Sequence, residues 1–377
     1  MRKIFLIYGD PSAHLLAVHL TRQLKKQKPD IEIKGLGSRE LTSEGVEILY
    51  DLVSLSVVGI FEVLKNILKF RKIFQDTVTF LKKYQPDCVI LIDYPGFNLR
   101  MAHQAKKMGI KVIYYVSPQV WAWNSARIKQ IKKNVDLMLV IFKFEEELYK
   151  KSGVPVYFVG YPRMQFIKEE ISPEEFRKHY HLKSNGPFIG IMPGSRKTEI
   201  KYTLPIILKG AHLIKKDYPY TTFIILRADK IEESFIRKFT LKYDDLNIVM
   251  VNQHKYSAIK FCNALIVCSG TSTLEVSLLE KPFIIVYKLS NLTYHLLKRM
   301  VKTPFIGMVN ILLGKMLIPE LIQEKLTPQN IYKHITAYLD DKDIHYKTIT
   351  ELKKIREILE GEDSFKKSAQ IILNKIL

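Results

Sequence analysis

An aspartate that directly follows a buried apolar stretch is the strongest candidate for a catalytic base in this chain. Asp93 comes after CVILI (residues 88–92), and YPGFN (residues 94–98) then forms a tight turn into a helical pattern. Ligands of open α/β sheets bind at the carboxyl ends of the strands, where a carboxylate can accept a proton from a substrate hydroxyl. The alternative for Asp93 is a helix cap or a structural turn residue.

Two turns of small residues predict a nucleotide site. PGSR (residues 193–196) follows the strand pattern FIGIM, and SGTSTLE (residues 269–275) follows ALIVC. Free amides and the dipole at such helix starts attract phosphate. Arg196 can hold a diphosphate through two hydrogen bonds, and Glu275 either binds ribose hydroxyls or is a surface residue near the dipole. The candidates are Gly194, Ser195, Arg196, Ser269, Gly270, Thr271, Thr273 and Glu275.

Both tryptophans of the chain, Trp121 and Trp123, stand in the loop SPQVWAW (residues 117–123), after the strand pattern KVIYYV. Rings of this kind stack on a sugar or line an acyl pocket. A local plug of the core is the alternative for both side chains.

The strands and helices that must position these residues start with the same strand–turn–helix pattern in each half of the chain. RKIFLIY (residues 2–8) is a strand pattern that breaks at GDPS and leads to a helical pattern from His14, and FIGIM, PGSR and a helix repeat this arrangement. Short β-branched runs alternate with helical patterns in both halves, which is typical of parallel sheets covered on both faces. The sequence predicts an α/β fold of two Rossmann-like, doubly wound domains that face a central cleft.

The domain boundary is expected after GYP (residues 160–162). We assign residues 1–165 to the first domain and residues 166–349 to the second. The helical patterns of about residues 350–377 need a surface to cover, and we expect them to pack back on the first domain.

The composition fits a folded protein with an anionic partner. The 377 residues include 59 basic and 38 acidic side chains, a net charge of +21, which favours nucleic acid, nucleotide phosphates or an anionic membrane face. The three cysteines form no CxxC pair and the ten histidines show no metal-ligand spacing, so no disulfide and no metal site is predicted. No signal peptide and no apolar run of roughly 18 residues is evident, so a cytoplasmic location is expected.

The segment from Ile60 to Phe74 has the pattern of a basic amphipathic helix. Apolar residues such as Ile67 and Leu68 share one face, and Lys69 and its neighbouring lysines oppose it. Such a helix can lie in an anionic membrane surface. The alternative is an apolar stripe that faces the core.

In their order along the chain, these motifs resemble the lipid-A-disaccharide synthase family. The resemblance covers nearly the whole chain, and the combination of SPQVWAW with PGSR and SGTSTLE is its specific part. The matching segments are residues 92–98, 115–123, 192–196, 269–275, 310–314 and 319–323.

The resemblance implies the GT-B architecture and an inverting glycosyltransferase of lipid A biosynthesis that needs no cofactor. Its donor would be UDP-2,3-diacylglucosamine and its acceptor 2,3-diacylglucosamine 1-phosphate (lipid X), joined as the β-1,6 disaccharide with release of UDP. By position, Asp93 resembles the general base, and Asn310 joins the residues that serve the UDP-sugar in the second domain. The residues expected to contact the acceptor, in the first domain, are Asp10, Ser12, Asn98 and Trp121.

The family's enzymes are peripheral proteins on the inner face of the cytoplasmic membrane, which gives the basic helix from Ile60 to Phe74 a partner. A second copy of the chain, as a homodimer, is a further candidate partner. Nucleic acid is not expected, because the sequence lacks the signatures of nucleic-acid-binding folds.

This sequence departs from the family pattern in two turns. The first turn has Asp10, Ala13 and His14 where Glu, Gly and Asp are usual, and Lys315 stands where Arg is usual. A lysine is a point charge and lacks the arginine fork. Two other functions stay open: another GT-B enzyme on a UDP-amino-sugar (with a different acceptor, or an epimerase), and a non-catalytic binder of anionic lipid.

Overall fold

The chain folds into two compact units. The computed structural model describes residues 2–56, 67–122, 127–290, 294, 303–361 and 363–377. One unit comprises Met1–Pro162 and Leu359–Leu377, and the other comprises Arg163–Ile358. The division therefore falls at Pro162, close to the expected boundary after residue 165.

The chain returns to the first unit later than expected. The helix Lys342–Leu359 belongs to the second unit almost to its end. Near that end, Arg356 donates a hydrogen bond to the Leu278 carbonyl of the same unit (2.8 Å). Only the last helix, Ser364–Lys375, belongs wholly to the first unit. The expectation that residues from about 350 pack on the first domain is corrected accordingly.

The first unit is a seven-stranded parallel sheet with the order β3-β2-β1-β4-β5-β6-β7. The order reverses between β1 and β4, the point at which such sheets bind ligands. Strands β1 to β7 are Lys3–Ile7, Glu32–Gly37, Glu47–Asp51, Cys88–Ile92, Lys111–Tyr115, Leu137–Val140 and Val156–Phe158. The helices are Pro11–Gln27, Arg39–Glu44 (3₁₀), Leu52–Ser56, Ile67–Tyr84, Pro95–Lys107, Arg127–Asn134, Lys143–Lys151 and Ser364–Lys375.

The second unit repeats this topology with six parallel strands in the order β10-β9-β8-β11-β12-β13. Strands β8 to β13 are Phe188–Met192, Thr222–Leu226, Asn247–Val251, Ala264–Cys268, Phe283–Tyr287 and Glu320–Ile322. The α-helices are Pro173–His179, Lys197–Asp217, Glu233–Thr240, Lys255–Phe261, Ser272–Leu278, Met308–Leu313, Pro328–Asp340 and Lys342–Leu359. The 3₁₀ helices are Met164–Phe166 and Gln323–Lys325.

Each unit has its own apolar core, and the central strands are buried along their whole length. All five residues of β4 and of β11 are buried, as expected for strands covered by helices on both faces. None of the helices described is long and apolar enough to cross a membrane.

The first helix begins earlier than its apolar pattern indicates. It runs from Pro11, and the Asp10 carboxylate caps it by accepting a hydrogen bond from the Ser12 amide (2.8 Å). Proline suits the first helical position because its missing N–H needs no partner there. The turn expected up to Ser12 is therefore already helical, which corrects the predicted start at His14.

Candidate functional site

The carboxyl edge of the first sheet gathers the predicted acceptor residues. Strands β1, β4, β5 and β6 are neighbours and parallel, so the residues that follow them lie along one edge. Asp10 follows β1, Asp93 follows β4, and the loop with Ser117 and Trp121 follows β5. The helix Lys143–Lys151 begins after β6. The sheet thereby brings residues from four separate stretches of sequence to one edge.

Asp93 is held in a strained backbone conformation. Its φ is 48° and that of Tyr94 is 49°, in the left-handed region that costs a non-glycine residue about 1–3 kcal/mol. The Asp93 carbonyl accepts hydrogen bonds from the Tyr114 hydroxyl (2.6 Å) and the Asn98 amide (2.7 Å). Such strain persists where the surrounding structure fixes the residue, and it is typical of functional sites.

The electrostatics of Asp93 suit a base. Burial of its carboxyl group, together with the negative charge of Asp10, raises the pKa of Asp93 to about 6. At neutral pH most of the carboxyl groups are then ionised, and a pKa near the working pH is favourable for proton transfer.

Asn98, an expected acceptor contact, has a different position. It is completely buried, and its amide donates to the carbonyls of Ile92 (3.2 Å) and Asp93 (2.7 Å). Asn98 therefore fixes the end of β4 and the backbone of Asp93, and it offers no exposed group to an acceptor.

His14 joins a chain of hydrogen bonds near the first turn. The Tyr8 hydroxyl lies 2.9 Å from His14 Nδ1 and accepts a hydrogen bond from the Ser38 amide (2.9 Å). His14 Nε2 lies 3.1 Å from the Glu40 carboxylate. The two ring nitrogens of His14 thus connect the Tyr8 hydroxyl with the Glu40 carboxylate.

One buried carboxylate, Glu145, was not predicted from the sequence. Glu145 lies in the first turn of the helix Lys143–Lys151 and accepts hydrogen bonds from the Ser117 hydroxyl (2.7 Å) and the Trp121 indole (3.1 Å). The signal that marks it is a run of three glutamates at a helix start after a buried strand. Trp123, the second predicted tryptophan, lies outside the described residues.

In the second unit, the two predicted nucleotide turns are neighbours. They follow β8 and β11, which pair in parallel. Gly194 has φ +127°, and a Cβ there would lie 2.8 Å from the Glu199 carboxylate, so only glycine allows this close approach. Gly270 also has a left-handed φ, of +153°.

The amides of the PGSR turn are already occupied, contrary to the expectation of a free anion site. The Ser195 and Arg196 amides donate to Glu199 Oε2 (3.0 and 3.2 Å), and Arg196 Nη1 donates to Oε1 (2.6 Å). The Glu199 side chain thus caps its own helix and orients the guanidinium. Arg196 is 72% exposed, so its charge is accessible to a ligand.

The SGTSTLE turn contains an ion pair between the buried Glu275 and the partly exposed Lys255. The Glu275 carboxylate accepts a hydrogen bond from Lys255 Nζ and lies 4.0 Å from Arg163 Nη1. Thr273 is buried, and its hydroxyl donates to the Gly270 carbonyl (2.8 Å). Thr271 and Gly270 are exposed at the tip of the turn, whereas Ser269 is half-buried.

Asn310, an expected donor contact, is completely buried. Its amide group donates to the Ile318 carbonyl (2.8 Å) and to Glu320 (2.9 Å). Its carbonyl accepts from the amides of Leu317 (3.0 Å) and Ile318 (2.9 Å). Any influence of Asn310 on the donor must therefore act through this loop. Lys315, in the same loop, pairs with Glu351 (2.7 Å).

Two Rossmann-like units in one chain, each a parallel sheet with polar residues at its carboxyl edge, are the architecture of the GT-B fold class. The model of the lipid-A-disaccharide synthetase family matches residues 4–375, and the chain belongs to this family. The predictions of the family, of a glycosyltransferase and of two Rossmann-like domains are confirmed.

Named relatives agree with the family match. The lipid-A-disaccharide synthase of Coxiella burnetii (strain RSA 331) is 37% identical over 380 residues, which cover 100% of this chain and 99% of the relative. Lipid-A-disaccharide synthase 1 of Legionella pneumophila (strain Philadelphia 1) is 37% identical over 363 residues, 96% of this chain and 94% of the relative. The structure of UDP-GlcNAc 2-epimerase from Neisseria meningitidis bound to UDP-GlcNAc has a TM-score of 0.63, 14% identity and 99% coverage of both chains. The last likeness supports the fold alone. The cleft, the membrane contact and the homodimer stay predictions.

Proposed function

We propose that this chain transfers 2,3-diacylglucosamine from UDP to the 6-hydroxyl of lipid X, which gives the β-1,6 disaccharide 1-phosphate of lipid A and UDP. Family membership supports the reaction type. The structural observation that carries the proposal is Asp93, whose carboxyl group stands at the reversal point of the first sheet with its pKa raised to about 6.

In the proposed reaction, Asp93 accepts the proton of the acceptor hydroxyl as the hydroxyl oxygen bonds to C1 of the donor sugar. The bond between C1 and the UDP oxygen breaks, and attack from the opposite face inverts the configuration. The departing diphosphate gains negative charge, which a cation stabilises. Arg196, exposed and oriented by Glu199, is the group assigned to it.

The donor-binding role falls to the second unit, with one change from the sequence prediction. Because Glu199 occupies the amides of Ser195 and Arg196, the diphosphate would contact the Arg196 guanidinium rather than those amides. The ribose would lie near Glu275, whose carboxylate is placed by Lys255.

The proposed reaction needs no metal ion, since cationic side chains meet the charge of the leaving group. Excess EDTA should therefore leave the rate of disaccharide formation unchanged. A rate that falls with EDTA and recovers with Mg²⁺ would contradict this part of the proposal.

Membrane contact would use the start of the helix Ile67–Tyr84. Ile67 is 57% exposed and Leu68 is 75% exposed, beside the exposed cations of Lys69, Arg71 and Lys72. Exposed apolar side chains next to positive charge suit an anionic bilayer surface. Residues 60–66 of the predicted helix lie outside the described part of the chain. Sedimentation with anionic vesicles, lost for Leu68→Glu and absent with neutral vesicles, would test this contact.

The central test is a mass-spectrometric assay of the purified protein with UDP-2,3-diacylglucosamine and lipid X in detergent. A disaccharide that appears together with UDP only when both substrates are present would support the proposal. Conversion of the UDP-sugar without the acceptor would instead favour an epimerase. Binding of both substrates without any UDP release would favour a non-catalytic lipid binder.

A further inference from the structure

The loop after β5 is anchored by Glu145, a buried carboxylate outside the matching motifs. The Glu145 residue is only 2% exposed, and a single oxygen, Oε1, accepts from the Ser117 hydroxyl (2.7 Å) and the Trp121 indole N–H (3.1 Å). One side chain thereby fixes both ends of the segment from Ser117 to Trp121.

The ring of Trp121 is fixed from a second direction. It meets Phe144 edge-to-face, with ring centroids 5.2 Å apart and planes at 82°. Phe144 in turn stacks on Phe142, with centroids 5.8 Å apart and planes at 9°. Because the edge of the indole is held by Glu145 and its ring by Phe144, Trp121 has little rotational freedom, although it is only half-buried.

The backbone at the start of this loop is also strained. Val116 has φ 64°, a left-handed conformation that is especially unfavourable for a β-branched residue. Its amide still donates to the Leu139 carbonyl (3.0 Å), so the strand ends in register and then turns sharply. Strain of this kind, of about 1–3 kcal/mol, is typically retained where it places a functional group.

A buried carboxylate at this position lowers the stability of the fold. Among the described residues Glu145 forms no ion pair, and burial raises its pKa to about 7. A buried polar group without a charged partner is destabilising unless hydrogen bonds compensate for the lost water. An apolar residue would be enough to pack the loop. The carboxylate adds hydrogen bonds, and we infer that their purpose is to fix the orientation of Trp121.

We propose that Glu145 is a positioning residue for acceptor recognition, acting through Trp121. The loop follows β5, which neighbours β4 and therefore lies beside Asp93 at the same sheet edge. The exposed part of this half-buried indole would contact the sugar ring or acyl chains of the acceptor. The inference rests on the proposed function, because it takes the acceptor to be an acylated sugar phosphate.

Steady-state kinetics of Glu145→Ala, Glu145→Gln and Glu147→Ala test this role. Glu147 is exposed on the same helix and serves as the matched control. Glu145→Ala removes the hydrogen bonds that hold Ser117 and the Trp121 indole. The KM for lipid X should rise about tenfold, the order of magnitude of one such bond, with the KM for UDP-2,3-diacylglucosamine unchanged. Glu145→Gln retains an oxygen acceptor and should stay within about threefold of the parent. Equal rises in both KM values, or none in Glu145→Ala, would overturn the proposal.

A second readout does not require turnover. In a Trp123→Phe background Trp121 is the sole tryptophan, and its fluorescence should shift to longer wavelength in Glu145→Ala but not in Glu147→Ala. Lipid X should change this fluorescence in the parent and much less in Glu145→Ala. If the parent makes no disaccharide but lipid X still gives this pattern, the proposed transferase function fails while the positioning role stands. An unchanged spectrum in Glu145→Ala would overturn the positioning role itself.

Discussion

The two sheets have the same topology, but the carboxylates at their carboxyl edges differ in whether they form ion pairs. In the first unit, Asp93 and Glu145 form no ion pair among the described residues, and burial raises the pKa of both carboxyl groups. In the second unit, Glu199 pairs with Arg196 and Glu275 pairs with Lys255. The same fold thus has carboxyl groups with raised pKa values at one sheet edge and ion-paired carboxylates at the other.

This difference separates the two halves of a glycosyl transfer. An unpaired carboxylate with a raised pKa can exchange a proton near neutral pH. A carboxylate paired with a cation orients that cation, which can then contact phosphate. Under the proposed function, proton transfer therefore belongs to the first unit and recognition of the charged donor to the second.

The largest effect should follow from neutralising Asp93. Asp93→Asn should lower turnover about 10²–10⁴-fold, the usual range for loss of a general base, while UDP binding measured by calorimetry stays the same. Asparagine also tolerates the left-handed backbone found here. Asp30→Asn, at an exposed position of the same unit, is the control. Full activity of Asp93→Asn would show that Asp93 is not the base, and the two sheet edges would then not differ in proton transfer.

The next largest effect should come from the second unit. Arg196→Ala should raise the KM for the UDP-sugar about 10–100-fold, the value of a charge-assisted hydrogen bond, without changing the KM for lipid X. Lys201→Ala, exposed on the same helix, should leave both constants unchanged. A rise confined to lipid X would show that Arg196 does not serve the donor.

The pH dependence should depend on Asp10. The logarithm of kcat/KM should increase with pH up to about 6, where the Asp93 carboxyl group loses its proton. The Asp10 charge contributes to the raised pKa of Asp93, so Asp10→Asn should move this limb to lower pH. Asparagine caps a helix as well as aspartate does, which keeps the first helix intact. A limb that does not move would exclude Asp10 as a cause of the raised pKa.

The apolar patterns predict the central strands of both sheets but not β2, β3 and β13. β4 and β11 are continuous apolar runs, which a buried parallel strand requires. The sequence EIKGLG of β2 contains a lysine and two glycines, and β3 and β13 stand at sheet edges. β2 is interrupted by glycine, β3 (EILYD) begins and ends with an acidic residue, and β13 has only three residues, so none of them forms a strong apolar run.

Within the candidate site, sequence order identified the residues that follow strands but not their partners. Asp93 and Arg196 stand next to recognisable strand ends. Glu145 is linked to Trp121, and Asn310 to Glu320, by contacts that only the folded chain creates. An asparagine that reads as a ligand contact in sequence can therefore be fully occupied within the protein, as Asn310 is.

The smallest effects should be on stability, with opposite signs at the two edges. The pKa of Glu145 is raised to about 7 from the ordinary value of 4.5, so folding favours its protonated form. This stability is complete below pH of about 4.5 and is lost as the pH increases through about 7. Glu145→Gln keeps the side chain neutral, and its advantage over the parent should therefore grow from pH 5 to pH 8, by about 1–3 kcal/mol.

Glu275→Gln should instead destabilise the protein at pH 8 by about 1–2 kcal/mol, since it leaves Lys255 without its buried partner. Because Lys255 is partly exposed, water compensates for some of this loss, and the cost stays below that of breaking a fully buried pair. Chemical denaturation of both variants and the parent at pH 5 and pH 8 measures these differences. If both substitutions changed the free energy of unfolding in the same direction at pH 8, the two edges would not differ in the way their ion pairs indicate.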